Sequence, residues 1–134
     1  MANESLEQQV AALLAQGETT ATVREEVLQL YVSAGVDYNY QSNYQKAAKT
    51  FQAGIFHAQD FLTAGETSSE VREGVLWLYY NAGVNYREQG NHQKAAETYQ
   101  AGISHAQDFL TAGETSSGVR EWILWLYDNQ SSNY

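Results

Sequence analysis

The residues of this chain that could do chemistry are two histidine–aspartate pairs. His57 is followed three residues later by Asp60, and His105 by Asp108, so each pair shares one face of a predicted helix. An imidazole and a carboxylate at this spacing can hold a metal ion together. A metal site also needs a third and a fourth ligand, and no cluster in the sequence supplies them. We therefore predict no metal and interpret both pairs as helical surface or as interhelical hydrogen bonds.

No other group of residues predicts catalysis. The chain lacks cysteine, which excludes disulfides and thiol chemistry. The recurring Ala-Gly-Glu-Thr segments lack the second glycine and the lysine of a phosphate-binding loop, and no serine, histidine and acid grouping stands out. We predict neither enzymatic activity nor a cofactor. Charged residues cluster at the helix starts, and we interpret them as solvated residues that form local ion pairs. The arginines are Arg24, Arg72 and Arg120, and the glutamates are Glu25, Glu26, Glu73 and Glu121.

The acidic composition limits the partners. The formal net charge is −9 and the isoelectric point is about 4.6. Such a surface repels the phosphates of nucleic acids and of anionic lipids, so we predict binding to neither nucleic acid nor membrane and favour a basic or amphipathic peptide. The segment 1–17 has neither a basic leader nor an apolar run long enough for a signal peptide or a membrane span. A cytoplasmic protein is expected.

A repeat of 48 residues organises the elements that position these side chains. Residues 17–64 and 65–112 align without a gap and are identical at 33 of 48 positions. A period in this range is typical of stacked helical pairs, and shorter stretches continue the repeat on both sides. We predict one helical-repeat domain over 1–134. It comprises a half-helix at 3–16, repeat one at 19–66, repeat two at 67–114, a half-helix at 115–129 and a frayed polar tail at 130–134.

The apolar residues within each repeat recur at helical spacing, and the chain has no proline. Gly17, Gly65 and Gly113 each follow the last periodic residue of a segment, where a left-handed helix cap is expected. These features predict an all-α protein. The predicted helices are 3–16, 21–41, 44–64, 69–89, 92–112 and 117–129.

One stretch of each repeat carries a pattern of large and small residues on two successive helices. In the first helix it is Tyr31, Ala34, Gly35 and Tyr38, and then Tyr79, Ala82, Gly83 and Tyr86. In the second helix it is Ala47, Phe51, Gly54 and Ile55, and then Ala95, Tyr99, Gly102 and Ile103. The turn between them holds Gly90, replaced by Ser42 in the earlier copy. This pattern resembles the tetratricopeptide repeat, and the resemblance implies a right-handed solenoid of antiparallel helical hairpins.

Two features depart from that family. The family period is about 34 residues rather than 48, and the proline that closes its second helix is replaced here by Gln59 and Gln107. Without the proline the second helix runs on, so we expect helices lengthened by roughly 10 Å at 1.5 Å per residue. The close identity of the two copies also suits a recently duplicated or engineered array.

The resemblance implies a function as a non-catalytic interaction module. In tetratricopeptide arrays the outward residues of the first helices line a groove that holds a peptide. Four of the five groove positions differ between the two copies while the packing residues do not, which fits either a binding face or an unconstrained surface. Trp77, Tyr80 and Arg87 are of types that dominate binding hot spots. By position, the groove residues are Gln29, Val32, Val36, Asn39, Tyr40, Trp77, Tyr80, Val84, Arg87, Glu88, Trp125 and Asp128.

The alternative is a structural protein that assembles with itself. The two half-helices are of complementary types, so chains could stack head to tail through them or exchange them in a closed dimer. Trp122 and Trp125 make the second half-helix apolar, and an apolar end of a helical array is expected to be covered. We therefore expect a homo-oligomer formed through the half-helices.

Overall fold

The structure, a computed structural model, describes residues 5–16 and 20–132. Within these ranges the chain forms α-helices and no strand, which confirms the all-α prediction. The helices are α1 (Leu6–Leu14), α2 (Ala21–Tyr40), α3 (Tyr44–Thr63), α4 (Ser69–Glu88), α5 (His92–Thr111) and α6 (Ser117–Ser132). None of the described helices combines the length and the hydropathy that a membrane span requires.

The observed bounds follow the predicted ones closely for the four long helices. Each starts at the predicted residue and ends one residue earlier, because the predicted range included the cap. Helix α1 ends at Leu14 rather than at 16, and the predicted start at 3 and the predicted cap at Gly17 lie outside the described residues. Helix α6 continues to Ser132 rather than ending at 129, so residues 130–132 of the predicted tail are helical, while 133–134 lie outside the described residues. The side chain of Gln130 donates a hydrogen bond to Oε1 of Gln100 at 2.7 Å, which ties this segment to α5.

The left-handed caps predicted at Gly65 and Gly113 are confirmed, with φ angles of +92° and +97°. Gly90 ends α4 in the same way at +79°, and Ser42 takes this conformation at +60° after α2. At Gly65 the N–H of the following Glu66 donates to the carbonyl of Phe61, which satisfies a carbonyl that the helix end leaves free. These turns reverse the chain, so successive helices pack side by side.

Two sets of helices build the fold, and we call α2, α4 and α6 the first helices and α1, α3 and α5 the second helices. The first helices form a row in which α4 contacts both α2 and α6. Each second helix packs on the first helix that follows it, and α3 and α5 also pack on the one before. The buried side chains of all six helices form one continuous core.

Glycine sets the distance between α2 and α3 and between α4 and α5. The ring of Phe51 lies on Gly35, where a Cβ would be 2.3 Å from Cε1 of the ring. The ring of Tyr99 lies on Gly83 in the same way, where a Cβ would be 2.4 Å from Cε1. Because both contacts recur at the same repeat position, the small residues of the repeated pattern are packing residues, as predicted.

The tyrosines of the repeated pattern are buried, except that Tyr38 is only half-buried. Their hydroxyls differ in their partners. The hydroxyl of Tyr86 accepts a hydrogen bond from Nε2 of Gln52 at 2.9 Å. The hydroxyl of Tyr99 is buried and has no partner among the described residues, and burial raises its pKa to about 12. Tyr99 therefore carries a polar group that its surroundings do not satisfy.

Replacing Tyr99 by phenylalanine should raise the free energy of unfolding by about 1 kcal/mol, because a buried hydroxyl without a partner destabilises the folded state. The first repeat already has Phe51 at this position, so Phe51→Tyr is the matched control and should lower stability. Urea unfolding followed by circular dichroism measures both changes. A clear loss of stability in Tyr99→Phe would mean that the hydroxyl is bonded in solution.

Candidate peptide-binding site

The predicted groove residues do not form one continuous surface. Five of them, from Val36 to Glu88 along the chain, line a cleft between α2 and α4. Gln29 and Trp77 line a second cleft, and Trp125 and Asp128 lie in a shallow depression on α6. The remaining three, Val32, Tyr80 and Arg87, line none of these clefts and make contacts within the fold.

Val32 was predicted to line the groove, and this prediction is wrong because the side chain is only 2% exposed and belongs to the core. Tyr80 is half-buried, and its ring packs against Tyr99 and Trp122, with the centroids 6.4 and 5.3 Å apart. Arg87 is also half-buried, and its Nη1 donates a hydrogen bond to Oδ1 of Asn129 in α6 at 3.0 Å. Tyr80 and Arg87 thus join α4 to its neighbours.

The cleft between the C-terminal halves of α2 and α4 has a volume of about 280 Å³. Buried Asn85 fixes its polar edge, because Nδ2 donates to Oδ1 of Asn39 at 2.9 Å and to the carbonyl of Tyr44 at 3.0 Å. Val36 and Val84 supply the apolar walls. We call it the asparagine cleft, lined by Val36, Asn39, Tyr40, Tyr44, Asn81, Val84 and Glu88.

A second cleft, of about 270 Å³, lies between the N-terminal halves of the three first helices. Three carboxylates line it, and none of its described lining residues is basic. Two tryptophans complete the wall. We call it the acidic tryptophan cleft, lined by Glu25, Gln29, Glu70, Glu73, Gly74, Trp77 and Trp122.

Helix periodicity builds the α4 side of the acidic tryptophan cleft. Glu70, Glu73 and Trp77 are three and four residues apart, so they share one face of α4. Gly74 lies between them, and its missing side chain lets Leu28 of α2 approach, since a Cβ there would be 3.1 Å from Cδ1 of Leu28. The close approach of α2 brings Glu25 to the same cleft.

The negative charge of this cleft is concentrated around Glu73. Partial burial raises the pKa of Glu73, a hydrogen bond from Oγ of Ser116 at 3.4 Å opposes the rise, and the charges of Glu70, Glu114 and Glu25 add to it. The carboxylate therefore lies in a place where a further negative charge is unfavourable. A cation placed among these groups would relieve their repulsion and favour the ionised form of Glu73.

The tryptophans offer aromatic faces beside these carboxylates. The rings of Trp77 and Trp122 lie 6.3 Å apart between centroids at an angle of 33°. The ring of Trp122 packs against the rings of Tyr80 and Trp125, with the centroids 5.3 and 5.0 Å apart. The side chain of Trp77 is exposed at the mouth of the cleft. Indole faces attract ammonium and guanidinium groups. Carboxylates and indoles together can therefore bind a cationic side chain.

The sequence interpretation missed most of this cleft. It assigned Glu25 and Glu73 to local ion pairs at the helix starts, and this was wrong because their arginine neighbours have other partners. Arg24 pairs with Glu66, and Arg72 pairs with Glu114, both at 2.8 Å and 42 residues along the chain. The spacing of Glu70, Glu73 and Trp77 along one helix face could have indicated the site.

The histidine–aspartate pairs contribute to helix packing. His57 stacks on Tyr31 with the ring centroids 5.4 Å apart, and Nε2 of His105 lies 3.2 Å from the hydroxyl of Tyr79, as predicted for an interhelical hydrogen bond. Burial lowers the pKa of both histidines, and the nearby aspartates oppose this. Across 5–16 and 20–132, no group of three or more His, Asp or Glu side chains could hold a metal ion.

Comparison with known proteins adds no relative. No protein-family model matches the chain, and no curated protein and no solved structure shows a significant similarity to it. The tetratricopeptide resemblance therefore depends only on the residue pattern of the two repeats and stays a prediction. The function has to be argued from the clefts themselves.

Proposed function

We propose that this protein is a non-catalytic interaction module that binds a basic segment of a partner protein. The observation that carries the proposal is the acidic tryptophan cleft, where three carboxylates and two indoles surround about 270 Å³ of open space. The net charge of −9 adds a long-range attraction for a basic partner. The cleft thus provides a binding site for a cation, and the negative net charge of the chain attracts cations towards it.

A lysine or arginine side chain fits the chemistry of this cleft. Its cationic end would donate charge-assisted hydrogen bonds to the carboxylates of Glu25, Glu70 and Glu73. Its aliphatic stem would lie on the faces of Trp77 and Trp122, where it loses contact with water without losing the charge interaction. A neutral or acidic side chain would leave the three carboxylates without compensation.

The asparagine cleft would hold the next part of the same segment. Both clefts lie along α2 and α4, and Gln29 and Val36 are about 10 Å apart at 1.5 Å rise per residue. An extended peptide covers this distance in about three residues. Amide groups of Asn39 and Asn81 would then bond to the peptide backbone, while Val36 and Val84 would contact an apolar side chain.

We also propose the architecture that the tetratricopeptide resemblance implies, a right-handed solenoid of antiparallel helical hairpins. The row of first helices and the packing of α3 and α5 against them support it. In such an array the first helices line the surface that holds a ligand, and both clefts lie between first helices. The proposal thus retains Gln29 and Trp77 in the acidic tryptophan cleft and Val36, Asn39 and Val84 in the asparagine cleft. It adds Glu25, Glu70, Glu73 and Trp122.

The test compares variants inside and outside the acidic tryptophan cleft with a fluorescein-labelled oligoarginine peptide as the probe. Glu73→Gln and Trp77→Ala should each weaken binding about tenfold, because the first removes a charge that pairs with the bound cation and the second removes an aromatic anchor. Glu121→Gln and Phe56→Ala are the matched controls, since both residues are exposed and lie outside the cleft. Fluorescence anisotropy at dilute protein concentration gives the dissociation constants.

Added salt should weaken this binding, and an oligoglutamine peptide of the same length should not bind. Equal losses in Glu73→Gln and Glu121→Gln would show that the peptide responds only to net charge, and the cleft would then not be the site. The melting temperature of Trp77→Ala should change little, because the ring is exposed. Tyr80→Ala should lower it, since that ring is packed between α4, α5 and α6.

A further inference from the structure

The outer face of α6 exposes apolar side chains at repeat positions that the rest of the chain buries. Leu28 of α2 and Leu76 of α4 are fully buried, whereas the equivalent Leu124 of α6 is 67% exposed. Leu28 is covered by the next first helix, since it packs on Gly74 of α4. Among the described residues, no further first helix packs beyond α6 to cover Leu124.

A tyrosine on the same face shows the same difference. Tyr31 and Tyr79 are buried, and their rings pack on His57 and His105 of the second helices, with centroids 5.4 and 5.1 Å apart. The equivalent Tyr127 is 42% exposed, and no aromatic ring of the described residues contacts it. The hydroxyl of Tyr127 still accepts a hydrogen bond from Nε2 of Gln107 at 2.9 Å, as the hydroxyl of Tyr79 does from Gln59. Leu124 and Tyr127 therefore lack only the neighbours that the following helices supply to their copies.

Among the described residues, no helix packs in the groove between α1 and α2. Its volume is about 480 Å³, and its walls include Gln9 and Ala12 of α1 and Glu26 and Leu30 of α2. We call it the α1–α2 groove. The equivalent grooves between α3 and α4 and between α5 and α6 each carry a first helix.

The repeat shows which residues fill such a groove. Gln9 is equivalent to His57 and Glu26 is equivalent to Gly74. In the filled groove between α3 and α4, Tyr31 covers His57 and Leu28 covers Gly74, both from α2. The residues that fill the groove are thus the buried copies of Tyr127 and Leu124.

We infer that α6 of a second copy of this chain lies in the α1–α2 groove. In that position Tyr127 of one copy reaches Gln9 of the other, and Leu124 reaches Glu26. The contact continues the packing of α2 on α4 and of α4 on α6 across two chains. The α1–α2 groove and α6 are the equivalents of surfaces that pack together twice within the chain, with Gln9 and Glu26 in place of His57 and Gly74, which favours a second copy over an unrelated partner.

This contact is heterologous, because one copy contributes α6 and the other contributes the α1–α2 groove. A pair of chains therefore leaves one free face of each kind, and further copies can add in a row. Since each copy carries a net charge of −9, the copies repel one another, and added salt should strengthen the association. Binding of a basic peptide responds to salt in the opposite direction, which separates the two interactions experimentally.

Sedimentation equilibrium of the 134-residue chain at low and high micromolar concentration tests the inference. The wild type should associate as concentration rises, and Leu124→Glu and Ala12→Arg should each raise the dissociation constant at least about tenfold. Phe56→Glu is the matched control, because Phe56 is an exposed apolar residue of α3 outside both surfaces, and it should leave association unchanged. A wild type that stays monomeric at high concentration, or a Leu124→Glu variant that associates normally, would overturn the inference.

Mixing the two variants tests the geometry. The Leu124→Glu chain keeps an intact α1–α2 groove, and the Ala12→Arg chain keeps an intact α6, so a mixture should form a one-to-one heterodimer that grows no further. This result would also show that both variants are folded, which far-ultraviolet circular dichroism checks independently. If the mixture stays monomeric while both variants are folded, the contact is not head to tail and the inference fails.

Discussion

Replacing Glu114 by glutamine should lower the free energy of unfolding by about 3 kcal/mol, since removing one partner of a buried ion pair leaves the other charge without compensation. Glu114 is only 8% exposed. Its carboxylate accepts hydrogen bonds from Nη1 of Arg72 at 2.8 Å, Oγ of Ser69 at 2.7 Å and the N–H of Ser116 at 2.9 Å. The variant would leave the buried guanidinium of Arg72 without a counter-charge. Urea unfolding of both proteins at neutral pH measures the difference.

The first repeat offers a matched control in Glu66→Gln. Glu66 accepts from Nη1 of Arg24 at 2.8 Å, but its side chain and that of Arg24 are more exposed than those of the second pair. The hydroxyl of Ser69 also has no counterpart there, because the equivalent residue is Ala21. We therefore expect Glu66→Gln to cost only about 1 kcal/mol. Equal losses in the two variants would show that the additional burial and the Ser69 bond contribute nothing.

The contribution of Glu114 should also depend on pH. The hydrogen bond from Ser69 lowers its pKa, burial opposes this, and the bonds from Arg72 and Ser116 then bring the value to about 2, against 4.5 for a free glutamate. The folded state therefore binds this proton less readily than the unfolded state does. The stabilisation is complete above about pH 4.5 and is lost as pH falls towards about 2.

The same urea series at decreasing pH checks this dependence. The difference in unfolding free energy between wild type and Glu114→Gln should shrink between pH 4.5 and about pH 2, because both proteins then carry an uncharged side chain at position 114. A difference that stays constant down to pH 2 would mean that Glu114 ionises in the folded state as it does in the unfolded one.

These ion pairs show what the sequence could not predict. The helices were predictable because they depend on local signals, namely the apolar period and the glycine caps at Gly65 and Gly113. The partner of Arg72 was not, because Glu114 lies 42 residues away and the pairing depends on how the helices pack. A local rule pairs charges three or four residues apart and so assigned Arg72 to its own helix. An arginine and a glutamate 42 residues apart occur in both repeats, and this repetition could have indicated the pairing.

The candidate site was predictable only in part for the same reason. Trp77 was correctly expected to be exposed, but Glu25 and Trp122 reach the cleft from two other helices. The difference between Val32 and Tyr80 was interpreted as fitting either a binding face or an unconstrained surface. The two side chains instead have different surroundings. Tyr80 contacts Trp122 of the following first helix, whereas in the first helix that follows Val32 the residue equivalent to Trp122 is Gly74. Variation between copies therefore reflected packing as well as exposure.

The second large effect is expected at Gly83, where substitution by alanine should lower the free energy of unfolding by about 2 kcal/mol. Alanine is normally favoured over glycine inside a helix by about 1 kcal/mol, so the packing cost must exceed this gain. A Cβ on Gly83 would lie 2.4 Å from Cε1 of Tyr99 and 2.7 Å from both Cδ1 and Cζ. The ring is fully buried, so it cannot move aside without displacing α5.

Gly74→Ala provides the control in the same helix. The nearest atoms to its new Cβ would be Cδ1 of Leu28 at 3.1 Å and Cβ of Leu28 at 3.4 Å, so a shift of only a few tenths of an ångström would relieve the contact. We therefore expect Gly74→Ala to leave stability unchanged or to raise it by up to about 1 kcal/mol through helix propensity. Because both changes add one methyl group to α4, the difference between them isolates the contact with Tyr99. If thermal and urea unfolding show that Gly83→Ala is as stable as Gly74→Ala, α4 and α5 do not pack through this ring.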